Sequence, residues 1–208
     1  MKVRVIGAAV AVLVLGLMLL DASWRSDDEP LAAANGREAF DAAKFGKENF
    51  APKVVPELEQ RAVELTELVP ALDKDPDAAG EQYGVRQGAS PYNFAVRGTG
   101  TAQAPDGNIV EVDVEGVPSD VTVSLQIGPA INGSALRDAS GLFDFNDFLN
   151  QVDYAGAGTA LNTEVKQTVL KDLDRDALDG KTVTFLGAFT YLAPTAITIT
   201  PAQLEVGA

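Results

Sequence analysis

The segment from Phe143 to Tyr154, FDFNDFLNQVDY, places amide and carboxylate side chains at helical spacing. Asn146, Asn150 and Asp153 follow one another at steps of four and three, so on a helix they form one polar stripe. Such a stripe can hydrogen-bond a hydroxyl-rich ligand, or it can cap a strand end or satisfy the backbone of a loop. The three residues are candidate ligand-binding residues under the first interpretation, and both interpretations are open at this point.

A charged pair precedes this segment. Arg137 and Asp138, in SALRDA, can form an ion pair with each other or bind a ligand. Arg137 follows the third predicted strand, and OB-folds commonly bind ligands on strands 2 and 3 and the loops beside them. Tyr92 and Arg97, on the first predicted strand, are further candidates. Basic and aromatic positions are too few there for a nucleic-acid platform, which stacks bases on aromatic rings in a positive groove.

The most conspicuous acid cluster, Asp172 to Asp179 in DLDRDALDG, suggests calcium because a hard cation takes several oxygen ligands from one loop. The spacing fails for this interpretation. The loop's sixth position, where glycine is needed, is Ala177, and the twelfth, where an acid is needed, is Val183. The segment is therefore interpreted as a solvated turn, and no metal or other cofactor is predicted.

Composition excludes several chemistries. The 208 residues contain no cysteine and no histidine, so the chain has no disulfide, no thiolate nucleophile, no Ser-His-Asp triad and no Cys- or His-ligated metal. The net charge of −14 argues against nucleic acid as a partner. No pair of acids has a spacing that marks it for glycoside hydrolysis, and a non-catalytic protein is predicted.

The first residues are typical of an exported protein. Lys2 and Arg4 precede an uncharged apolar run from Val5 to Leu20. The run is short for a membrane-spanning helix and slightly long for the apolar part of a signal peptide. A cleavage site needs small residues at its first and last positions, and the best candidate, Leu20-Asp21-Ala22, has one only at the last, so an uncleaved anchor is favoured over a cleaved signal. Residues 1–22 are assigned to this signal or anchor helix, and residues 23–36 to a linker without periodicity.

Two kinds of periodicity divide the remaining chain into a helical segment, 37–90, and a strand-rich segment, 91–208. In the first, Pro52 and Pro56 must kink or divide the helix, Asp75 is an N-cap, and Gly84 ends the last helix as a C′ residue. The second is predicted to contain, in order, strands 92–102, 109–114 and 121–127, a helix 146–170, and strands 182–190 and 196–204.

This order of elements is that of an OB-fold. The predicted fold class is α+β, with the N-terminal helical segment packed as one unit on a small antiparallel OB-fold-like β-barrel. A two-layer sandwich with an attached helix is the competing architecture. Gly187, inside the fourth strand, predicts a bulge or a sharp bend.

Several long stretches resemble one bacterial family, that of predicted periplasmic lipoproteins carrying domain of unknown function 2291. The stretches are KVVP at Lys53, QYGVRQGASPYNFAVRGTGT at 82–101, VSLQIGPAINGSALRDA at 123–139, NDFLNQVDYAGAGTALN at 146–162, GKTVTFLGAF at 180–189 and ITPAQLEV at 199–206. The resemblance implies an extracytoplasmic protein without an assigned activity. It also implies an accessory role in carbohydrate uptake, because the family's genes tend to lie beside those of sugar-importing ABC transporters.

The chain departs from the lipoprotein pattern because it has no cysteine to acylate, which makes the Val5–Leu20 helix the expected substitute for a lipid. We therefore expect an extracytoplasmic protein anchored to the cytoplasmic membrane by this helix, or periplasmic or secreted if the helix is cleaved. Its expected role is that of a non-catalytic accessory or scaffolding partner of a sugar ABC transport system. The alternative is a saccharide-binding protein with a pocket near Arg137 and the Asn146 helix.

Overall fold

Residues 39–207 are described by the computed structural model, and they begin with four short helices. These are α1 (Ala42–Asn49), α2 (Val55–Arg61), α3 (Leu65–Lys74) and α4 (Pro76–Tyr83). Pro52 lies in a π-helical turn between α1 and α2, and Pro56 occupies the first turn of α2. The predicted division at these prolines is confirmed, since proline has no amide hydrogen for the helix ladder. As predicted, Asp75 caps α4, because its carboxylate accepts from the Ala78 amide at 3.1 Å.

Five strands after the helices form a closed barrel. A two-residue strand, β1 (Val63–Glu64), precedes them, and the five are β2 (Asn93–Ala102), β3 (Ile109–Asp113), β4 (Thr122–Gln126), β5 (Thr182–Thr190) and β6 (Ala196–Val206). Their order is β2-β3-β4-β6-β5, and β5 pairs back with β2 to close the sheet. The α+β, OB-like prediction is confirmed, and closure excludes the open sandwich.

One strand pair corrects the prediction of an antiparallel barrel. β4 and β6 run parallel, from Thr122 opposite Ala196 to Leu125 opposite Ile199. The long connection between them, which contains helices and β5, makes a parallel pair possible. The predicted irregularity at Gly187 is confirmed by a register shift in the β5–β6 pair. A Cβ at Gly187 would lie 2.5 Å from the Thr200 carbonyl oxygen, so only glycine permits this approach.

The connection between β4 and β5 differs most from the prediction. It contains an unpredicted helix, α5 (Ala135–Ser140), which ends at Gly141 in the left-handed conformation. The expected single helix from 146 to 170 is a 3-10 turn (Phe145–Asp147), then α6 (Gln151–Glu164), then a π-helical turn (Val165–Val169). The prediction of a helix starting at Asn146 is therefore wrong.

Two apolar clusters hold the barrel and the helices together. The first fills the barrel, where Phe94, Phe185 and Phe189 are its largest fully buried side chains. The second joins α1, α2, α5 and α6 to the outside of the barrel, where the small side chains of Ala95 and Ala188 leave room for them. Each fully buried Phe or Leu contributes about 1.5–3 kcal/mol, so both clusters are large contributors to stability. The helical layer therefore fixes the position of α5 and α6 relative to β2.

The predicted anchor, residues 1–22, and linker, 23–36, lie outside the described residues. Within the described range, none of the helices combines the length and the apolar character required to cross a membrane.

Candidate ligand-binding cleft

A cleft of about 270 Å³ opens where the loop between α4 and β2 meets α5, the 3-10 turn and the first turn of α6. It is lined by Arg86, Gln87, Ser90, Asn93, Arg137, Asp138, Phe145 and Tyr154. Segments far apart in the sequence meet here, since Gln87 donates its side-chain amide to the Phe143 carbonyl at 2.8 Å. The cleft brings together two predicted site residues, Arg137 and Asp138.

The Arg137 guanidinium is the central polar group of the cleft, and the residue is only 7% exposed. Its Nε donates to Asp138 Oδ1 at 2.7 Å, and its Nη1 donates to the Tyr154 carbonyl at 2.6 Å. The same guanidinium lies 3.5 Å from the centroid of the Tyr154 ring. Hydrogen bonds and a cation–π contact thus fix the plane of the guanidinium, and the ion pair anticipated from SALRDA is present.

Asp138 is held from several sides. Ser134 Oγ donates to its Oδ2 at 2.6 Å, and the Tyr154 hydroxyl lies 3.3 Å from its Oδ1. The same hydroxyl is 3.1 Å from Gln87 Oε1, so its single hydrogen is shared between two acceptors. Burial, and then repulsion from the Asp138 carboxylate, raise the pKa of Tyr154 above its ordinary value. Tyr154 therefore remains a neutral hydrogen-bond donor at neutral pH.

Aromatic rings form an apolar wall next to these polar groups. Phe145 meets Tyr154 edge to face at 5.5 Å, and Phe148 does so at 5.3 Å. Phe145 is 46% exposed, a large fraction for a phenylalanine, and it lines the cleft. The cleft thus offers an apolar surface together with fixed donors and acceptors, the combination found in small-molecule sites.

Tyr92, another predicted site residue, supports the cleft from outside its lining. The Arg86 guanidinium lies over the Tyr92 ring at 4.1 Å from its centroid. The ring occupies the space left by two glycines, since a Cβ at Gly80 would lie 2.3 Å from it and one at Gly84 2.9 Å. Gly84 has extended backbone and not the left-handed conformation expected of a C′ glycine. Its lack of a side chain makes room for Tyr92, and this corrects the predicted reason for the glycine.

The polar stripe of Asn146, Asn150 and Asp153 does not form. Asn146 is exposed in the 3-10 turn, and α6 starts only after Asn150. Asn150 Oδ1 accepts from the Asp153 amide at 2.9 Å, and its Nδ2 donates to Asp153 Oδ2 at 3.1 Å. Asn150 is therefore an N-cap, which favours the structural interpretation of these residues, and none of the three lines the cleft.

Arg97 lies in a different place, a depression of about 350 Å³ on the barrel wall. We call it the wall depression; it is lined by Glu59, Arg97, Thr184, Phe185, Leu186, Gln203 and Glu205. The Arg97 guanidinium donates to the carbonyls of Glu59 and Ala62 at 2.8 and 3.1 Å. These carbonyls belong to the end of α2, so Arg97 caps this helix.

Most of the residues around Arg137 are not among those that the sequence predicts for the site. Tyr154 and Phe145 lie in the segment of the predicted polar stripe without being part of the stripe, and Arg86, Gln87 and Ser90 belong to no predicted site. One signal was available. The loop GVRQGASP at 84–91 combines glycine, serine and proline with the only arginine between Arg61 and Arg97.

The surface where OB-folds commonly bind ligands is acidic here. A groove of about 510 Å³ runs beside β3 and β4, and Glu111, Asp113 and Glu115 line it. In the turn interpreted from DLDRDALDG, Arg175 donates to the Gly107 carbonyl and ties this turn to the β2–β3 connection. Across residues 39–207 there is no group of three acids placed to hold a metal ion.

Comparisons with known proteins agree with this architecture. A family model described as predicted periplasmic lipoprotein, domain of unknown function 2291, matches residues 10–205. The chain belongs to this family. Membership makes it an extracytoplasmic protein, and it confirms the resemblance found in the sequence. The cysteine that the family's lipoprotein description implies is absent from these 208 residues.

A solved structure supports the fold of this family member. An OB-fold protein from Thermotoga maritima MSB8 is similar to it with a TM-score of 0.66 and 25% sequence identity. The match covers 82% of this chain and all of the other. No curated protein matches the chain significantly. The comparisons thus show the fold and the family of this chain.

Proposed function

We propose that this protein is a non-catalytic, extracytoplasmic binding protein and that the cleft around Arg137 holds a saccharide. The observation that carries the proposal is the buried Arg137 network, which fixes a guanidinium, a carboxylate and a phenol beside exposed aromatic surface. A sugar presents hydroxyl groups that both donate and accept, and an apolar C–H face. The cleft offers complements to both.

The polar groups around this network suit hydroxyl ligands. Gln87 and Asp138 share the Tyr154 hydroxyl hydrogen, so each retains acceptor capacity for a ligand. Asn93 is buried and fixed, because its Oδ1 accepts from Thr190 Oγ1 at 2.6 Å. Its Nδ2 carries two hydrogens and donates one of them to the Pro91 carbonyl at 3.3 Å, so the other can be donated to a ligand oxygen. Because these side chains are already fixed, little of their conformational entropy is lost when a ligand binds.

A binding role is favoured over hydrolysis. Asp138 is the single acid among the described residues that line the cleft, and it is engaged by Arg137 and Ser134. Glycoside hydrolysis by the usual route requires two carboxyl groups on opposite sides of the bond. The cleft therefore supports recognition of a sugar better than its cleavage.

Thermal unfolding of the purified full chain with a panel of neutral and acidic mono- and disaccharides tests the saccharide proposal. We expect at least one sugar to raise the midpoint, because a ligand that binds only the folded state stabilises it. Phe145→Ala should abolish the shift, since it removes the exposed wall of the cleft. Leu192→Ala is the matched control, because Leu192 is an exposed apolar residue that does not line the cleft. Absence of a shift with every sugar would contradict the proposal.

The resemblance of the sequence to its family also supports a proposed role in sugar transport. We propose that the protein is tethered to the membrane by its apolar segment from Val5 to Leu20 and acts as an accessory partner of a sugar ABC transport system. Affinity purification from detergent-solubilised membranes should then enrich transporter subunits over the level found with an unrelated anchored protein. Equal recovery with both baits would remove the support for a transport partner while leaving the sugar-binding cleft intact.

A further inference from the structure

Arg86 is the cleft residue whose chemistry the saccharide proposal leaves unused. Its guanidinium stacks on Tyr92 and lines the cleft mouth. The ion pairs found among the described residues involve Arg61, Arg97 and Arg137, and Arg86 has no carboxylate partner in this part of the chain. Stacking on the packed Tyr92 ring therefore fixes the position of the Arg86 guanidinium without neutralising its charge.

The charges lining the cleft do not cancel. Two guanidinium groups, Arg86 and Arg137, face it with one carboxylate, Asp138, which leaves one positive charge. Asp138 is hydrogen-bonded to Arg137 at 2.7 Å, so the surplus charge is that of Arg86. The whole chain carries −14, and a positive cleft is an exception in so acidic a protein. A local excess of one sign selects ligands of the other.

Ser90 adds a donor beside Arg86. Its Oγ accepts from the Gln87 amide at 3.2 Å, which orients the hydroxyl and leaves its hydrogen available. A guanidinium fork and a hydroxyl are typical donors for a carboxylate or phosphate group. The cleft volume of about 270 Å³ is slightly below the usual range for ligand sites, roughly 300–1,000 Å³, and favours a single sugar unit.

From these observations we infer that the ligand is an anionic monosaccharide, whose carboxylate or phosphate group binds Arg86 while its ring lies against Phe145 and Tyr154. This inference rests on the proposed saccharide-binding function and names its ligand class. Arg137 and Asp138 then hold hydroxyl groups of the ring, and Arg86 discriminates acidic from neutral sugars.

Isothermal titration calorimetry on the detergent-solubilised full chain tests the inference. The probes are a hexuronate, the neutral hexose of the same configuration, the corresponding hexose phosphate, and inorganic phosphate alone. We expect one of the two acidic sugars to bind at least about tenfold more tightly than the neutral hexose, and added salt to reduce this preference. The tighter of the two acidic sugars identifies the anionic group.

Arg86→Gln should remove the preference, so that the acidic sugar and the neutral hexose bind with similar affinity. Because Arg86 is exposed, this substitution does not threaten the fold. Lys166→Gln is the matched control: it removes one exposed positive charge from the π-helical turn that follows α6, twelve residues beyond Tyr154 and outside the cleft lining. It should retain the preference.

A neutral hexose that binds as tightly as the acidic sugars, or a preference that survives Arg86→Gln, overturns the inference and leaves saccharide binding standing. Binding of none of the sugars overturns both. Inorganic phosphate that binds as tightly as the tighter of the two acidic sugars also contradicts both, because the sugar ring then contributes nothing.

Discussion

The Arg137 cleft and the wall depression around Arg97 each place an arginine in a concave surface, yet the two arginines differ in their burial and in their contacts. Both bond to backbone carbonyls, Arg137 to that of Tyr154 and Arg97 to those of Glu59 and Ala62. Arg137 is buried and stacks on an aromatic ring. Arg97 is about half exposed and lies 3.9 Å from Glu64, so it ends a helix in contact with solvent.

Volume does not distinguish the two regions, because the wall depression is the larger. Two carboxylates, Glu59 and Glu205, line it beside a single guanidinium, whereas the cleft has two guanidinium groups and one carboxylate. An arginine is thus informative about ligand binding only when the charges and rings around it are known. The following substitutions test whether the two regions differ as their contacts indicate.

Arg137→Ala should have the largest effect. It removes two hydrogen bonds and the cation–π contact with Tyr154, and it leaves the partly buried Asp138 without its cationic partner, so we expect the free energy of unfolding to fall by about 3 kcal/mol. Chemical denaturation of the full chain measures this loss. Arg137→Lys keeps the positive charge but not the planar guanidinium. Its loss of unfolding free energy should therefore lie between zero and that of Arg137→Ala. A loss below about 1 kcal/mol would show that Arg137 stabilises the fold no more than an arginine in an exposed ion pair does.

Gly80→Ala tests the support beneath Arg86 and should cost about 1–3 kcal/mol, because the new methyl group meets the Tyr92 ring. The better helix propensity of alanine opposes this by about 1 kcal/mol. Thermal unfolding measures the net effect. Glu81→Ala, at an exposed position of the same helix, is the control and should be close to neutral. A stabilised Gly80→Ala protein would show that the ring is not packed there.

Arg97→Ala should cost about 1 kcal/mol, the ordinary value for hydrogen bonds at a helix end that water can replace. Ligand binding in the cleft should not change. Calorimetry with whichever sugar binds the native chain provides the second measurement. A loss of affinity at this position would contradict the separation of the two regions.

The smallest effect concerns alkaline pH. The pKa of Tyr154 is raised in the folded chain, so the folded state favours the protonated phenol. This stabilisation is complete below the unfolded pKa, about 10, and is lost as the pH rises through the folded pKa. Tyr154→Phe should therefore reduce the decline of unfolding free energy above pH 10, while Arg97→Ala should keep the native decline. If the unfolding free energy of the native, Tyr154→Phe and Arg97→Ala proteins declines equally above pH 10, then titration of Tyr154 does not cause the decline.

Strong periodicity and turn chemistry made the barrel predictable. Each of its five strands has alternating or β-rich residues bounded by glycine, proline or aspartate, and Asp75-Pro76 marks a helix start without tertiary context. The parallel β4–β6 pair was not predictable in this way, because strand direction depends on the path of a long connection. The two-residue β1 is too short to have any period.

The cleft was predictable only in part, because it depends on contacts between distant segments. Arg137 and Asp138 are adjacent in sequence, so their pairing could be anticipated. That Tyr154 stacks on Arg137, or that Gln87 reaches Phe143, follows from the packing of α6 and the α4–β2 loop. Asn150 was placed inside a helix because its spacing fits one, whereas its side chain bonds the helix's own first turn.

Closure of the barrel by β2 and β5 has a consequence for how the cleft comes into existence. Asn93 pairs with Thr190, and Tyr154 contacts Gln87 across 67 residues of chain. Contacts of such sequence separation form slowly, because loop entropy must be lost before they stabilise anything. A chain truncated before β5 would hold every residue that lines the cleft and still lack the cleft. Recognition by this protein therefore depends on the C-terminal strands, and a ligand in the cleft reports that these strands are in place.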